Sequence, residues 1–389
     1  MQELVSRGHS ISVLTGYPNY PGGIIFKDFR ENPKMFSQFS GSTVWRVPLL
    51  ARKKGGLNLI LNYLSFMMGA SIWGPFKLRG QKFDVIFVYE PSPVTVGIPA
   101  IVLSKFKHIP VVFWVLDLWP ETLSAIGVLH SKKLLRMVGW LVRGIYKRCN
   151  LILGQSKGFI GNIAKYCDDT NKIRYFPNWA EEVYSNSEAV ELATEVPLVD
   201  GLFNVLFAGN IGEAQDFPAI IDAVELLKSN VNIRWLIVGD GRMSDWLKQE
   251  VAKRRLQDVV LLLGRFPFES MPSFYAHADA LLVSLKADPV FALTIPGKVQ
   301  SYLMSGIPLV GMLDGEGANL IRESKAGLAC SAGDSKGLAQ LVIKLSNMTK
   351  IERMAMGKCG LNYAKQEFDR TKLVDQLESF FDEVASLKG

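Results

Sequence analysis

The chain has 389 residues, a length that suggests two domains, and 48% hydrophobic with 21% charged residues is ample for large cores and excludes a disordered chain. Its four cysteines (Cys149, Cys167, Cys330, Cys359) lie far apart with no CxxC pair, which argues against a disulfide framework or metal site and fits a reducing cytoplasm. The net charge of +7 is uneven: residues 1–180 hold 23 Lys/Arg against 9 Asp/Glu, or +14, and the remainder 21 against 28, or −7.

A basic half of this size suggests an anionic partner: nucleic acid, a membrane surface or a lipid diphosphate. The alternative is an ordinary solvated basic surface. No aromatic–basic interleaving of a recognised RNA module is present, so nucleic acid is not expected.

The first residues, MQELVSRGHSISVLTG, read as the second half of a helix ended near Gly8, then a strand over 10–15. In a parallel α/β domain an earlier strand and a phosphate-facing turn should precede that helix, and neither is present. There is no signal peptide. The expectation is a domain whose first strand is missing, or one that tolerates an open edge.

Residues 42–48 form the next strand, followed by a basic turn at 52–56. Residues 57–76 have the length of a bilayer span, but Asn58, Asn62, Ser65, Gly69, Ser71 and Gly74 dilute them and Pro75 ends them. This reads as an amphipathic or core helix, lying on a membrane behind its basic turn, rather than a span.

Buried strands follow at 83–89 and 110–116, with an apolar helix at 94–106 between them. Asp117 leaves the second strand where a carboxylate points into the ligand cleft of such a sheet. Capping the next helix is the competing role for Asp117. Residues 134–149 are an amphipathic helix carrying Arg136, Arg143, Lys147 and Arg148, facing a membrane or packed on the sheet with its cations turned outward. Strands at 151–155 and 173–176 close a first domain, 1–180. Residues 181–203 read as a linker.

Strand–helix alternation restarts at 204. Strands at 204–208, 233–238, 259–263, 280–284 and 308–312 imply a second parallel sheet, 204–366, covered by helices on both faces. Helices at 335–347, 350–366 and 370–387 finish the chain, the last packing back on the first domain. Around 290–321 the sequence opens a helix at Thr294, Pro296 and Gly297 with Lys298 in its first turn. A buried strand, the turn Asp314-Gly315-Glu316-Gly317 and a second helix come next. Helix N-termini, a lysine and acidic residues thus gather at strand ends, where doubly wound sheets hold anionic ligands.

No HExxH, DxD or GxGxxG is present, and His9, His108, His130 and His277 are scattered. What remains suits a nucleotide diphosphate held without a metal. Its charge would fall to backbone N–H groups, helix dipoles, Lys298 and Arg265, with Glu316 accepting from sugar or ribose hydroxyls. Capping its own helix is the alternative for Glu316.

The ordered blocks RGHSISVLTG, YPNYPGG, TVWRVPL, DLWPE, FPNW, AGNIGEAQ and PGKVQSYLMSGIPL cover nearly the whole chain. Together they resemble the retaining nucleotide-sugar glycosyltransferases of family 4, which have the two-domain GT-B fold of Rossmann-like domains facing a cleft. Within that family the chain is similar to bacterial colanic-acid and O-antigen enzymes, best matching an L-fucosamine (FucNAc) transferase. The resemblance implies a UDP-sugar donor on the second domain and an undecaprenyl-diphosphate-linked acceptor on the first. It also implies no metal or other cofactor, and a place on the inner face of the cytoplasmic membrane.

The same resemblance puts Gly209, Asn210, Gly212 and Lys298 on the diphosphate, and Arg265 and Phe266 at the uracil. Glu316 and Asn319 fall at the donor sugar and phosphate, and Asp117 where acceptor meets donor. The sequence departs from the family at Asn210 and Gln215, which stand in place of the usual Arg and Lys. Ser301 and Leu293 stand in place of its paired glutamates. A UDP-sugar 2-epimerase of the same fold, or a truncated inactive paralogue, are the alternatives.

Overall fold

The computed structural model describes all residues except 21, 54, 182–189, 231 and 387–389. Residues 182–189 of the expected linker therefore lie outside the described residues. The chain divides into two units. One is Met1–Gln155 with Phe159–Phe176 and Thr371–Gly389; the other is Ser156–Gly158 with Pro177–Arg370.

The N-terminal unit begins with α1 (Gln2–Ser6), β1 (Ser12–Gly16), α2 (Lys27–Glu31), β2 (Gln38–Phe39) and β3 (Ser42–Val47). The long α3 (Gly56–Lys77), β4 (Ile86–Glu90), α4 (Gly97–Lys107), β5 (Val111–Val115), α5 (Glu121–Ala125) and α6 (Lys132–Tyr146) follow. It closes with β6 (Leu151–Gly154), α7 (Lys157–Ala164) and β7 (Ile173–Tyr175). β5 and β6 are buried along their whole length. That is why they read as unbroken apolar runs, as strands of a parallel sheet covered on both faces do.

In the C-terminal unit β8 (Phe203–Ala208), α8 (Phe217–Leu226), β9 (Ile233–Val238), α9 (Ser244–Lys253), β10 (Val260–Gly264) and α10 (Met271–Tyr275) come first. β11 (Ala280–Ser284), α11 (Lys298–Met304), β12 (Leu309–Met312), α12 (Gly315–Glu323), β13 (Gly327–Cys330), α13 (Ser335–Ser346) and α14 (Lys350–Glu367) complete it. The sheet is parallel throughout, in the order β10-β9-β8-β11-β12-β13. The two-residue strand period splits its core: Val205 and Phe207 pack under one helix layer, Leu206 and Ala208 under the other. The last helix, α15 (Arg370–Ser386), ties to the N-terminal unit, with Asp375 and Glu378 on Arg7 and Phe381 on Phe87.

β8 is the central strand of its sheet, between β9 and β11. The N-terminal unit has the same two halves, β1-β3-β2 and β4-β5-β6-β7, with no strand among the described residues joining them. β1 is only half-buried and Tyr89 of β4 is 58% exposed, whereas β9 and β11 are buried throughout. β1 and β4 are thus the edge strands of their two sheets.

Several sequence expectations change. Pro75 does not end α3, which runs two residues further, and Leu78 N–H still bonds Gly74 O at 3.0 Å. Asp314–Gly317 is not a separate turn, since α12 starts at Gly315. β13 went unread because Gly-Leu-Ala-Cys is short and lacks β-branched residues.

The core alternative for α3 fails too. Its buried residues are Asn62, Ala70 and Gly74, while Leu57, Ile60, Leu61, Leu64, Met68, Ile72, Trp73 and Phe76 are exposed. Gly69 lies so close to the chain at Pro48 that an added Cβ would meet its carbonyl oxygen at 2.6 Å. Small and polar groups therefore face the protein, and large apolar ones face away.

Candidate functional site

The carboxyl end of β8 is fixed from below by α11. Ala208 N–H donates to the Tyr302 hydroxyl at 2.8 Å, and that hydroxyl donates to Ala208 O at 3.1 Å. The chain then turns at Gly209 (φ +139°). Gly239, at the exit of β9 with φ +145°, lies so near that a Cβ on it would sit 1.8 Å from Gly209 O, so only glycine fits. Ile211 N–H bonds Asp240 O at 2.9 Å and Met243 N–H bonds Ile211 O at 3.0 Å, which fastens the two loops together.

Lys298 is the first residue of α11 and reaches under this loop. Its ammonium is completely buried, lies 3.6 Å from the centroid of the Phe207 ring and makes no hydrogen bond. A Cβ on Gly209 would be 3.3 Å from it. Burial pushes its pKa down to about 7. An ammonium has three donors and no acceptor role, so a dry site without a carboxylate leaves it unsatisfied apart from the ring face.

Gln215 has a structural job. Its side-chain oxygen accepts from Gly212 N–H at 3.1 Å, and its carbonyl accepts from the Ser284 hydroxyl at 2.7 Å. It closes the loop as a cap and leaves Lys298 as the cation beneath it. Asn210 is exposed on the same turn.

After β10, Arg265 is exposed, while Phe266 is half-buried against Phe274 with ring centroids 4.5 Å apart. The Asp240 carboxylate is held below its usual range by the Ser244 hydroxyl and the Gly241 N–H, with Lys248 and Arg265 adding positive potential. At the exit of β12, Glu316 is half-buried in the first turn of α12, and Asn319 is exposed one turn on. Neither Glu316 nor Asp314 caps that helix; Asp314 accepts instead from Ala332 N–H at 3.2 Å. Glu316 is therefore not used up as a cap. No hydrogen bond links Glu316 or Asn319 to the Gly209 loop or Lys298 among the described residues. They share with it only the carboxyl edge of the sheet, two strands along.

Asp117 belongs to the other unit. The N-cap of α5 is Pro120, so the capping alternative for Asp117 fails. Its Oδ2 accepts from the Trp119 indole at 3.0 Å. Burial raises its pKa, opposed by hydrogen bonds from the Thr122, Trp119 and Ser92 side chains and the Leu118 N–H.

Sequence reasoning missed Tyr302, Phe207 and Gly239. Tyr302 stands four residues after Lys298, on the same helix face, and that spacing was the available signal.

Residues 203–348 match the family described as Glycosyl transferases group 1. The chain is 25% identical over 264 residues to a probable glycosyltransferase, WbjE, of Pseudomonas aeruginosa, covering 64% of each protein, a little under two thirds. It is 23% identical over 314 residues to the putative colanic acid biosynthesis glycosyl transferase WcaI of Escherichia coli K12, covering 78% of this chain and 75% of WcaI.

Among solved structures, Anabaena HepE in complex with UDP and glucose superposes with a TM-score of 0.68 at 16% identity, covering 96% of this chain and all of that one. WaaG, a glycosyltransferase of lipopolysaccharide biosynthesis, gives 0.65 at 13% identity, covering 96% and 99%. The fold is GT-B.

Proposed function

We infer that this chain moves a sugar from a UDP-sugar to a lipid-linked acceptor in the assembly of a surface polysaccharide. The C-terminal unit takes the donor, with the diphosphate on the Gly209–Gly212 turn and the sugar toward Glu316 and Asn319. Arg265 and Phe266 are placed for the uracil. The acceptor is GlcNAc on undecaprenyl diphosphate, taken by the basic N-terminal unit at the inner face of the cytoplasmic membrane. The sugar is an N-acetylamino-deoxyhexose, best L-FucNAc, transferred with retention.

One observation carries this reading: the buried, unpartnered ammonium of Lys298 under a glycine turn. A diphosphate leaving from the donor gathers negative charge at the spot where that ammonium and the loop N–H groups are already placed, with no reorganisation needed. On this reading no divalent metal takes part. Anabaena HepE has been crystallised with UDP, with UDP-glucose, and with UDP plus glucose, which supports UDP as the nucleotide.

The lipid part of the reading is supported by the outward apolar face of α3. On α6, Leu134, Met137 and Trp140 are exposed among Lys132, Lys133, Arg136 and Arg143, the pairing of apolar anchors and cations that suits an anionic lipid surface.

The test uses membranes loaded with polyprenyl-diphosphate GlcNAc and a panel of UDP-sugars, following UDP release and the mass of the lipid product. The expected result is one added N-acetylamino-deoxyhexose, unchanged by EDTA. An isomerised UDP-sugar that needs no lipid acceptor would instead mean a 2-epimerase. No reaction with any donor would mean an inactive paralogue.

A further inference from the structure

Behind Asp117 lies a second carboxyl group that the proposed reaction does not use. Glu90 is the last residue of β4 and is 0% exposed. Neither of its carboxyl oxygens makes a hydrogen bond of good geometry. β4 pairs in parallel with β5, setting Glu90 beside Val115, and Leu116 N–H donates to Glu90 O at 3.1 Å. Asp117 follows at once. The two acids therefore leave neighbouring strands at the same carboxyl edge, Asp117 half-buried and Glu90 sealed behind it.

No cation faces Glu90. Its ionisable neighbours are Asp117 and the fully buried Tyr146 of α6, and Tyr146 in turn faces Glu121, Cys149 and Cys167. Glu121 accepts from the Tyr166 hydroxyl at 2.9 Å, and its second oxygen has no partner. An ionised carboxylate in such a place, with no donor of good geometry and no counter-charge, would cost several kcal/mol, so the group takes a proton instead. Burial and the Asp117 charge both push its pKa well above the usual range, with the N–H groups of Asp117 and Leu116 pulling the other way. Hydrogen bonds from the Trp119 indole and from hydroxyls favour the charged form of Asp117 against its own burial, whereas Glu90 has no such donors.

We propose that Glu90 is a positioning residue for the acceptor: an uncharged acid packed behind Asp117, leaving Asp117 as the single charge at the edge of β4 and β5, where it receives the proton of the incoming sugar hydroxyl. This rests on the glycosyl-transfer reading and adds the group that sets how many protons the pair holds. In the step, the acceptor O–H bond breaks and its proton goes to Asp117. The freed oxygen pair forms the bond to the anomeric carbon on the face from which the diphosphate departs, as retention requires, and the bond from that carbon to the diphosphate breaks, its electron pair leaving with UDP. When Glu90 ionises as pH rises, a second buried charge appears beside Asp117 with nothing to offset it, and the edge loses its set geometry.

The test compares wild type, Glu90→Gln and Asp117→Asn through kcat/KM for the lipid acceptor against pH, with the carboxyl groups followed by 13C NMR on labelled protein. Asp117→Asn should lose about 100-fold or more at every pH. Glu90→Gln, which keeps shape and neutrality, should stay within about threefold of wild type at neutral pH but lose the alkaline fall in rate. Its melting temperature should exceed that of wild type increasingly as pH rises. The unfolded chain releases the Glu90 proton in the ordinary carboxylate range while the folded chain keeps it, so wild-type stability drops with pH over that window. In the NMR titration Glu90 should stay protonated through neutral pH, and should titrate lower in Asp117→Asn.

Superimposable pH profiles for wild type and Glu90→Gln, or a Glu90 that titrates like a surface carboxylate, overturn this role while the transferase reading stands. A wild type that transfers no sugar to any lipid acceptor overturns that reading and the role together.

Discussion

Lys298 is a buried cation held in reserve, and that has consequences for both stability and binding. In the folded chain its pKa is about 7, against the ordinary 10.5. Between those values the unfolded chain holds a proton that the folded chain does not, so stability rises with pH across that window and is lowest below it. Replacing Lys298 with Met should remove the penalty. The ligand-free protein should gain on the order of 3–5 kcal/mol below neutral pH, with the gain fading toward pH 10, as read by denaturant unfolding at several pH values. The same variant should lose about 100- to 1000-fold in turnover. A variant both less stable and fully active would remove Lys298 from the diphosphate site.

Lys298 at a helix start and Gly209 to Gly212 after a strand are local patterns, and the structure joins them. The job of Gln215 was not legible. Read as a lost cation, it is a loop cap, because its role depends on Ser284, 69 residues away.

Among the elements, the open edges of β1 and β4 are the feature with the clearest physical consequence. An unpaired strand edge exposes its N–H and C=O groups to water and opens at low cost. Amide hydrogen exchange should therefore be faster in β1 and β4 than in β9 and β11, the strands that flank β8 in the other unit. Equal protection in all four would mean that the edges are covered.

The nature of α3 was not legible in the sequence. Composition gives an apolar helix with scattered polar residues. Which side faces inward is decided by Asn62, which donates to Leu50 O at 2.6 Å, and by the close approach of Gly69 to Pro48. A helix that turns its small and polar residues to the protein and its large apolar ones outward is the reverse of the usual soluble pattern.

For the molecule as a whole, the charge split between +14 and −7 separates two roles. The basic half should bind vesicles containing anionic phosphatidylglycerol and ignore neutral phosphatidylcholine. Raising salt should weaken that binding, since the Debye length falls from about 10 Å at 0.1 M to about 3 Å at 1 M. Trp140, 67% exposed on α6, is the apolar anchor to test. Trp140→Ser should reduce vesicle binding severalfold. Equal binding of both proteins to both vesicle types would remove the lipid surface from the reading.

The sequence alone determined the class: parallel α/β sheets in two units, the strand positions other than β2 and β13, the basic first half, and the glycine turn with its lysine. All of these follow from local periodicity, composition and short spacing. Only the tertiary structure decided that the Lys298 ammonium has no partner, that α3 shows its apolar side to the outside, and that Glu90 lies sealed behind Asp117. Those facts depend on which distant segments meet, and burial, not residue type, decides whether a lysine or a glutamate is charged.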